Sequence, residues 1–374
     1  MPLPLEGLVV LDFSTLLPGP MATLMLAEAG AEVIKVEKPG GEDMRRFPPR
    51  MGHGSAPFAV LNAGKRSVEI DLKAQDAVRR LEPLLRRADI LVEQFRPGVM
   101  DRLGLGYEAV RALNPGIIYC SITGYGQTGP RSQEAGHDIN YQAVTGLLSL
   151  SPGTAAAPTV PPALVADIAG GAMPAMINIL LALRSRDRTG QGTYLDIAMA
   201  DAMFTFAWFS LAEGHATGRF PGASENMLAG GSPRYALYAT ADAKFLAVGA
   251  LEQKFWDAFC AAIDLPEALR DDAADPAATR QAITDIVRSK TGEHWSSVLH
   301  PLDCCCTIVC SLEDAVRDDH FRARNLLGYR VTAGADVSLP LASVPLAPVV
   351  RRQAAERHLA EPGEHTDELL GPST

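Results

Sequence analysis

The chain carries no excess of positive charge. Its 374 residues hold 34 Lys and Arg against 44 Asp and Glu, a formal net charge of −10. That balance argues against bulk electrostatic binding to nucleic acid or to an anionic membrane, so any anionic ligand must meet a local basic cluster. No uninterrupted apolar run reaches the ~20 residues that a membrane span needs. The longest candidate, residues 168–183, contains Gly170, Gly171, Pro174 and Asn178 and is expected to be a buried helix rather than a membrane segment. The first residues lack a basic start followed by an apolar stretch, and the last lack a Ser-Lys-Leu address, so a cytoplasmic location is expected. Cysteine is scarce and poorly placed for a disulfide framework. Three of the six are consecutive, Cys304, Cys305 and Cys306, and neighbours cannot readily find separate partners, so reduced thiols are expected. With no Cys-x-x-Cys pair, a zinc site from Cys306, Cys310 and His294 or His300 is a weaker reading than core packing.

Several chemical signatures are missing as well. Gly64-Lys65-Arg66-Ser67 resembles the end of a phosphate-binding loop, but Ala59 stands where its first glycine belongs, which excludes that cradle. The turn after the first apolar run reads Leu16-Leu17-Pro18-Gly19-Pro20 in place of Gly-x-Gly-x-x-Gly. Prolines there remove backbone donors that a pyrophosphate needs, so a nicotinamide cofactor is not expected. Neither a Gly-x-Ser-x-Gly elbow nor a His-Glu-x-x-His helix occurs, which leaves serine hydrolases and zinc proteases without support.

What is present is an alternation. Short Val- and Ile-rich runs at 8–13, 32–36, 68–72, 90–93 and 117–122 are separated by stretches with helical signals, which predicts an α/β fold with a parallel sheet. Pro18 and Pro20 open a helix that Gly30 closes. A second helix is expected over 75–88, broken or restarted at Pro83. Residues 163–184 and 198–214 read as helices flanking a strand at 193–197, with a polar link over 184–192. A hairpin is expected from 235–240 and 245–248, followed by helices over 251–263, 277–290 and 294–299, and the prolines of 339–350 predict an extended return. The expected organisation is a large domain beginning with 1–200, a linking helical region at 201–224, a smaller domain at 225–325, and a return segment at 326–374 that completes the large one.

The stretch from Thr123 to Tyr141, TGYGQTGPRSQEAGHDINY, sets His137 beside Asp138 in a glycine-rich loop. Asp167 follows thirty residues after His137 and Glu252 much later, so one imidazole and three carboxylates are candidates for a proton-transfer site. Each also has a structural reading. His137-Asp138 can be a hydrogen-bonded surface loop, Asp167 a helix cap, and Glu252 a residue that favours a helix dipole.

Taken in order, GLVVLDFSTLLPGPMATLMLAEAGAEVIKVEKPG, KRSVEIDLK, FRPGVMDRLGLGY, TGYGQTGP with AGHDINY, ADIAGG, ENMLAGGSPRY with AVGALE, and GEHTDELL resemble the family III CoA-transferase superfamily. Within it they are similar to the alpha-methylacyl-CoA racemases. The resemblance implies a Rossmann-like large domain built from N- and C-terminal parts, a smaller α+β domain between them, and an interlocked homodimer whose site forms where two chains meet. It implies acid/base roles for His137 and Asp167 and a hydrogen bond between Glu252 and the histidine. It also implies that CoA enters as part of an acyl-CoA thioester, contacted near Lys38, Ile70, Asp71, Leu72, Lys73, Arg96, Arg102, Gly136 and Tyr141. On physical grounds, removing the proton next to a thioester carbonyl places charge on the carbonyl oxygen. Inversion then needs a base, an acid on the opposite face and an oxyanion donor, for which the Asp138 N–H or a nearby glycine N–H is the candidate; it needs no metal or redox cofactor.

Two other readings stay open. A CoA-transferase would use Asp138 as a nucleophile carrying a covalent intermediate, and DINYQAVTG keeps a spacing common among such transferases. A CoA-binding protein without chemistry is the third. Ala229 and Arg234 depart from the usual racemase segment, where an aspartate and an aromatic residue are common, and bear on substrate shape. Met199, Met203, Phe204, Phe206, Trp208 and Phe209 suit either an acyl channel or a helix core.

Overall fold

The computed structural model describes residues 2–151, 153–154, 157–334, 337–353 and 355–371. The chain divides into two units, one formed by Met1–Thr145, Ala163–Thr205 and Asp319–Thr374, the other by Gly146–Pro162 and Phe206–Asp318.

Six parallel strands organise the first unit: β1 (Val9–Asp12), β2 (Glu32–Glu37), β3 (Arg66–Glu69), β4 (Ile90–Glu93), β5 (Ile118–Thr123) and β6 (Thr193–Ala198). Their order across the sheet is β3-β2-β1-β4-β5-β6, with every pair parallel. This is the doubly wound arrangement in which the chain runs outward from β1 in one direction and then from β4 in the other. A sheet covered on both faces needs apolar residues at successive strand positions, which is why Val10-Leu11 and Ile90-Leu91-Val92 are fully buried. The crossover helices α1 (Pro18–Glu28) and α2 (Ala77–Arg87) supply part of that cover, α2 through Leu81, Leu84 and Leu85.

Pro83 does not break α2, contrary to the sequence expectation. It lies on the exposed side of the helix, where water can hydrate the carbonyl its ring leaves unbonded, while the buried leucine stripe holds the helix to the sheet. A second difference concerns the apolar segment near 168–183. A π-helical turn, Ala166–Ala172, runs directly into α4 (Met173–Thr189), the helix that follows α3 (Asp138–Val144). The whole helix, Ala166–Thr189, spans 24 residues and is long and apolar enough to cross a membrane by length and composition, with half of its apolar window buried. The expected polar link over 184–192 is therefore largely helix, because Arg184, Arg186 and Arg188 extend its hydrated last turns before Gly190.

The return segment belongs to the first unit. Strands Tyr329–Thr332, Ser338–Leu341 and Glu356–His358 form a small sheet whose Tyr329, Val331 and Leu341 pack with Phe58 and Ala59. Within the stretch expected to run extended, only Ser338–Leu341 is a strand, and Pro348–Val350 forms a 3-10 turn. A buried ion pair fastens this part to α1: Arg357 meets the two Glu28 oxygens at 2.6 and 2.8 Å.

The second unit holds an antiparallel hairpin, Tyr235–Ala239 with Phe245–Gly249, and a third strand, Cys306–Ile308. Helices Gln253–Ala262, Pro276–Arg288 and Gly292–Leu299 bury Trp256, Phe259, Ile283 and Trp295 in one core that also contains Cys260 and Cys304. All six cysteines are free thiols. The helix expected over 198–214 is two helices, Met199–Phe206 and Trp208–Thr217, interrupted at Ala207.

Candidate active site

In an open parallel sheet the carboxyl ends of the strands diverge at the point where strand order reverses, which here lies between β1 and β4. A cavity of about 420 Å³ opens there. Leu16 and Pro18 follow β1, Gln94 and Arg96 follow β4, and Thr123 ends β5; His137, Tyr141 and Asp167 are also in its wall. The structure thus brings together two of the four proton-transfer candidates, with Gly136, Tyr141 and Arg96 from the predicted ligand contacts.

Asp138 has a different environment from its neighbour. His137 is exposed at the cavity, just before α3, and its N–H donates to Asn140 Oδ1 at 3.0 Å. Asp138 is 5% exposed. Its Oδ2 accepts from the backbone N–H groups of Ala166 at 2.7 Å and Asp167 at 3.0 Å, and its Oδ1 accepts from Gln142 Nε2 at 2.5 Å. A carboxylate that receives several N–H donors in a buried site is an anchor, and what it anchors is the start of the helical segment that carries Asp167.

Asp167 sits on the π-helical turn, a wide geometry that recurs at functional positions. It is half-buried at the cavity. Burial pushes its carboxyl up to about 6; the nearby negative charge of Asp138 adds to the rise, and His137 opposes it. The turn can seat closely because Gly170 and Gly171 have no side chains: a Cβ at Gly170 would lie 2.8 Å from the Met199 carbonyl oxygen, and one at Gly171 would lie 2.9 Å from Pro18 Cβ. Gly124 and Gly136 do the same for Tyr141, whose ring would be 2.5 and 2.7 Å from added Cβ atoms. Tyr141 is held by its hydroxyl donating to the Gly136 carbonyl at 2.6 Å and by an edge contact with Tyr125.

A second cavity, about 690 Å³, lies at the carboxyl ends of β1, β2 and β3. Lys38, Ile70, Asp71, Leu72 and Lys73 line it, as do Phe13, Val36, Phe95 and Leu103. Its wall is largely hydrocarbon but also includes the buried carboxylates Glu37 and Glu42, which are neutralised by Arg45 and Lys35. At the exposed rim Lys38 Nζ donates to both Asp43 oxygens at 2.8 and 2.9 Å and Arg46 also pairs with Asp43. Arg102 is exposed on the helix Val99–Arg102 and lines neither of these two cavities.

Glu252 lies in the second unit, exposed, at the N-cap of the helix Gln253–Ala262. Arg234 brackets it. The guanidinium donates to the Leu251 carbonyl at 3.2 Å and to Gln253 Oε1 at 3.0 Å, pairs with Asp272 at 2.7 Å, and stacks over Trp256 at 4.9 Å. The departure from an aromatic residue at this position therefore has a packing explanation within the second unit. Ala229 lies in the turn Met227–Ala229. Of the apolar stripe, Met199 and Met203 are buried, with Met199 at the first cavity, whereas Phe204, Phe206 and Trp208 are exposed.

Sequence reasoning did not select Leu16, Glu42, Glu93 or Gln94. Burial pushes the Glu93 carboxyl up to about 7 against hydrogen bonds from Ser121 and the Phe95 N–H. A signal for such residues exists. Asp12, Lys35, Glu37 and Glu93 interrupt Val- and Ile-rich runs, and in a strand buried on both faces a charged residue must have an internal partner.

The profile of the family described as CoA-transferase family III matches residues 5–366. The chain is 34% identical to the alpha-methylacyl-CoA racemase of Homo sapiens, over 98% of this chain and 92% of that one. It is 32% identical to the acetyl-CoA:oxalate CoA-transferase of Acetobacter aceti, over 87% of this chain and 85% of the relative. Among solved structures, a CAIB/BAIF family protein from Brucella suis superposes with a TM-score of 0.84 at 26% identity, covering 99% of both chains.

Proposed function

The chain belongs to CoA-transferase family III, and from that membership we propose that it interconverts the two epimers of 2-methylacyl-CoA thioesters by removing and returning the alpha proton. The observation that carries this reading is the division of labour between the two aspartates. Asp138 is buried with both oxygens occupied, while Asp167, with its raised carboxyl, and His137 remain at the cavity. A carboxyl near 6 is ionised often enough at neutral pH to accept a proton and basic enough to hold one, the compromise that general acid/base catalysis favours.

The steps follow from the chemistry of the groups. Asp167 takes the alpha proton of one epimer, the bonding electrons move into the enolate, and the developing charge rests on the thioester oxygen. The Asp138 N–H is the candidate donor to that oxygen, because as the first residue of α3 it has no acceptor within the helix. Protonated His137 returns a proton to the opposite face, and the reverse reaction exchanges the two roles. The CoA moiety is assigned to the second cavity, adenine against its apolar wall and phosphates toward Lys38 and Lys73. A homodimer in which Glu252 orients the histidine belongs to the same proposal.

A second reading has an observation in its favour, since transferases stand among the relatives. It needs Asp138 to attack a thioester carbonyl, and an attacking oxygen would first have to leave its N–H donors. The test is to incubate one epimer of a 2-methylacyl-CoA with the protein in D2O, without an acceptor acid, and to follow the alpha proton by NMR. Deuterium entry with formation of the other epimer, lost in His137→Ala, is expected. Absence of exchange, with CoA transfer to an added carboxylate that Asp138→Ala abolishes, would replace this reading by the transferase one.

A further inference from the structure

Leu16 has a backbone φ of +61°. Crowding between Cβ and the neighbouring carbonyl disfavours this left-handed conformation for a branched side chain, so something must hold it. The hold is visible. The Leu16 N–H donates to Glu42 Oε1 at 2.8 Å, and Glu42, only 4% exposed, pairs through Oε2 with Lys35 Nζ at 2.7 Å. Lys35 in turn donates to the Ser14 carbonyl at 2.9 Å, which closes a loop of contacts around residues 14–16. From the other side, the Gly19 N–H donates to Gln94 Oε1 at 3.0 Å, and a Cβ at Gly19 would lie 2.2 Å from Ser14 Cβ.

Leu16 also lines both cavities. A ligand with one end among His137 and Asp167 and the other against Ile70 and Leu72 must pass this turn. We infer that Glu42 is a positioning residue: by fixing the strained Leu16 turn it sets the joint between the two cavities and lets one thioester ligand occupy both. The inference rests on the proposed placement of CoA and acyl group, but not on which reaction follows. Its physical content is pre-organisation, since a joint already held in the bound geometry need not be ordered when the ligand arrives.

The test is equilibrium binding by calorimetry of two probes, CoA alone and a 2-methylacyl-CoA thioester, to the full-length protein and its variants. Glu42→Ala is expected to weaken the thioester about tenfold while CoA alone changes less than about threefold, because only the longer ligand spans the joint. Glu42→Gln keeps an oxygen for the Leu16 N–H but loses the charge facing Lys35. It is expected to lower thermal stability as Glu42→Ala does, yet to retain most of the thioester preference. Adding Leu16→Gly to Glu42→Ala, which removes the Cβ crowding, should recover about threefold of the loss. Equal weakening of both probes by Glu42→Ala, or a thioester loss in Glu42→Gln as large as in Glu42→Ala, would overturn the inference and leave Glu42 as Lys35's ion-pair partner only. Wild-type protein that shows no alpha-proton exchange, but whose thioester preference still depends on Glu42, would sink the racemase reading and keep this one.

Discussion

The cavity between β1 and β4 brings His137 and the half-buried Asp167 to its wall, whereas the cavity over β1, β2 and β3 presents mostly hydrocarbon, with its buried carboxylates Glu37 and Glu42 tied up in ion pairs and its cations Lys38 and Lys73 at the exposed rim. Both open at the same sheet edge and share Leu16 and Phe95. The difference teaches how one edge serves two purposes. The first cavity puts a carboxyl where burial raises its proton affinity, which suits bond-breaking, and the second offers apolar area with cations within reach of solvent, which suits holding a large anionic ligand. In the proposed function the first governs turnover and the second governs affinity, so substitutions should separate the two.

The sharpest separation is expected at Asp167. Asp167→Asn should reduce alpha-proton exchange by about 10³-fold, within the range typical of a lost acid/base group, with CoA affinity unchanged by calorimetry. Stability should respond in the opposite direction. The folded-state carboxyl is raised from 3.8 to about 6, so the folded protein binds the proton more tightly than the unfolded chain. Its contribution is favourable below pH 4 and is lost as pH rises through 6. Asp167→Asn should therefore raise the melting temperature at pH 7.5, and the gain should shrink toward pH 4 in a series of thermal melts.

The same group predicts a pH contrast. Exchange from the epimer that Asp167 deprotonates should fall on an acid limb near 6, while CoA binding stays flat across that limb. Gly124→Ala would push a Cβ to 2.5 Å from the Tyr141 ring and tilt the floor of the first cavity. A loss of about tenfold or more in kcat, with KM little changed, is the expected steady-state result. Leu72→Glu probes the other cavity by placing a carboxylate among the predicted phosphate contacts. It should raise KM about tenfold and leave kcat nearly unaltered. The smallest effect is expected at the rim. Asp43 occupies Lys38 and Arg46, both exposed, so Asp43→Asn should tighten CoA about twofold at low salt and not at 0.5 M salt. If Leu72→Glu lowered kcat, or Gly124→Ala changed only KM, the division between the cavities would not stand.

Much of this was legible in the order of residues. Strand positions followed from apolar runs that a covered parallel sheet demands, and Ile90–Glu93 is found where the run 90–93 lies. Pro83 misled because a proline's effect depends on which side of a helix it faces, which nearby sequence does not declare. The reach of α4 to Thr189 was hidden for a related reason: arginines that suggest a polar link also suit the last turn of a helix. The residues expected to contact the ligand are distributed unevenly. Ile70 to Lys73 share a cavity with Lys38, but Arg102 lies apart from both cavities described, and nothing in FRPGVMDRLG says which arginine turns toward a cavity.

The sequence by itself determined the α/β class, the succession of strands and the motifs that mark the family, because periodicity, turn residues and motif order are carried by neighbours along the chain. It also supplied His137, Asp138 and Asp167 as chemical candidates. Only the tertiary structure distinguished the two aspartates. Asp138 is filled by N–H groups of Ala166 and Asp167 that lie 28 and 29 positions away, and Asp167 acquires its raised carboxyl from burial and from that neighbouring charge. The same holds for Glu42 and Leu16, separated by 26 positions and joined by one hydrogen bond. Lone pairs are satisfied and carboxyls desolvated by whatever the fold brings near, and that proximity is a property of packing rather than of residue order.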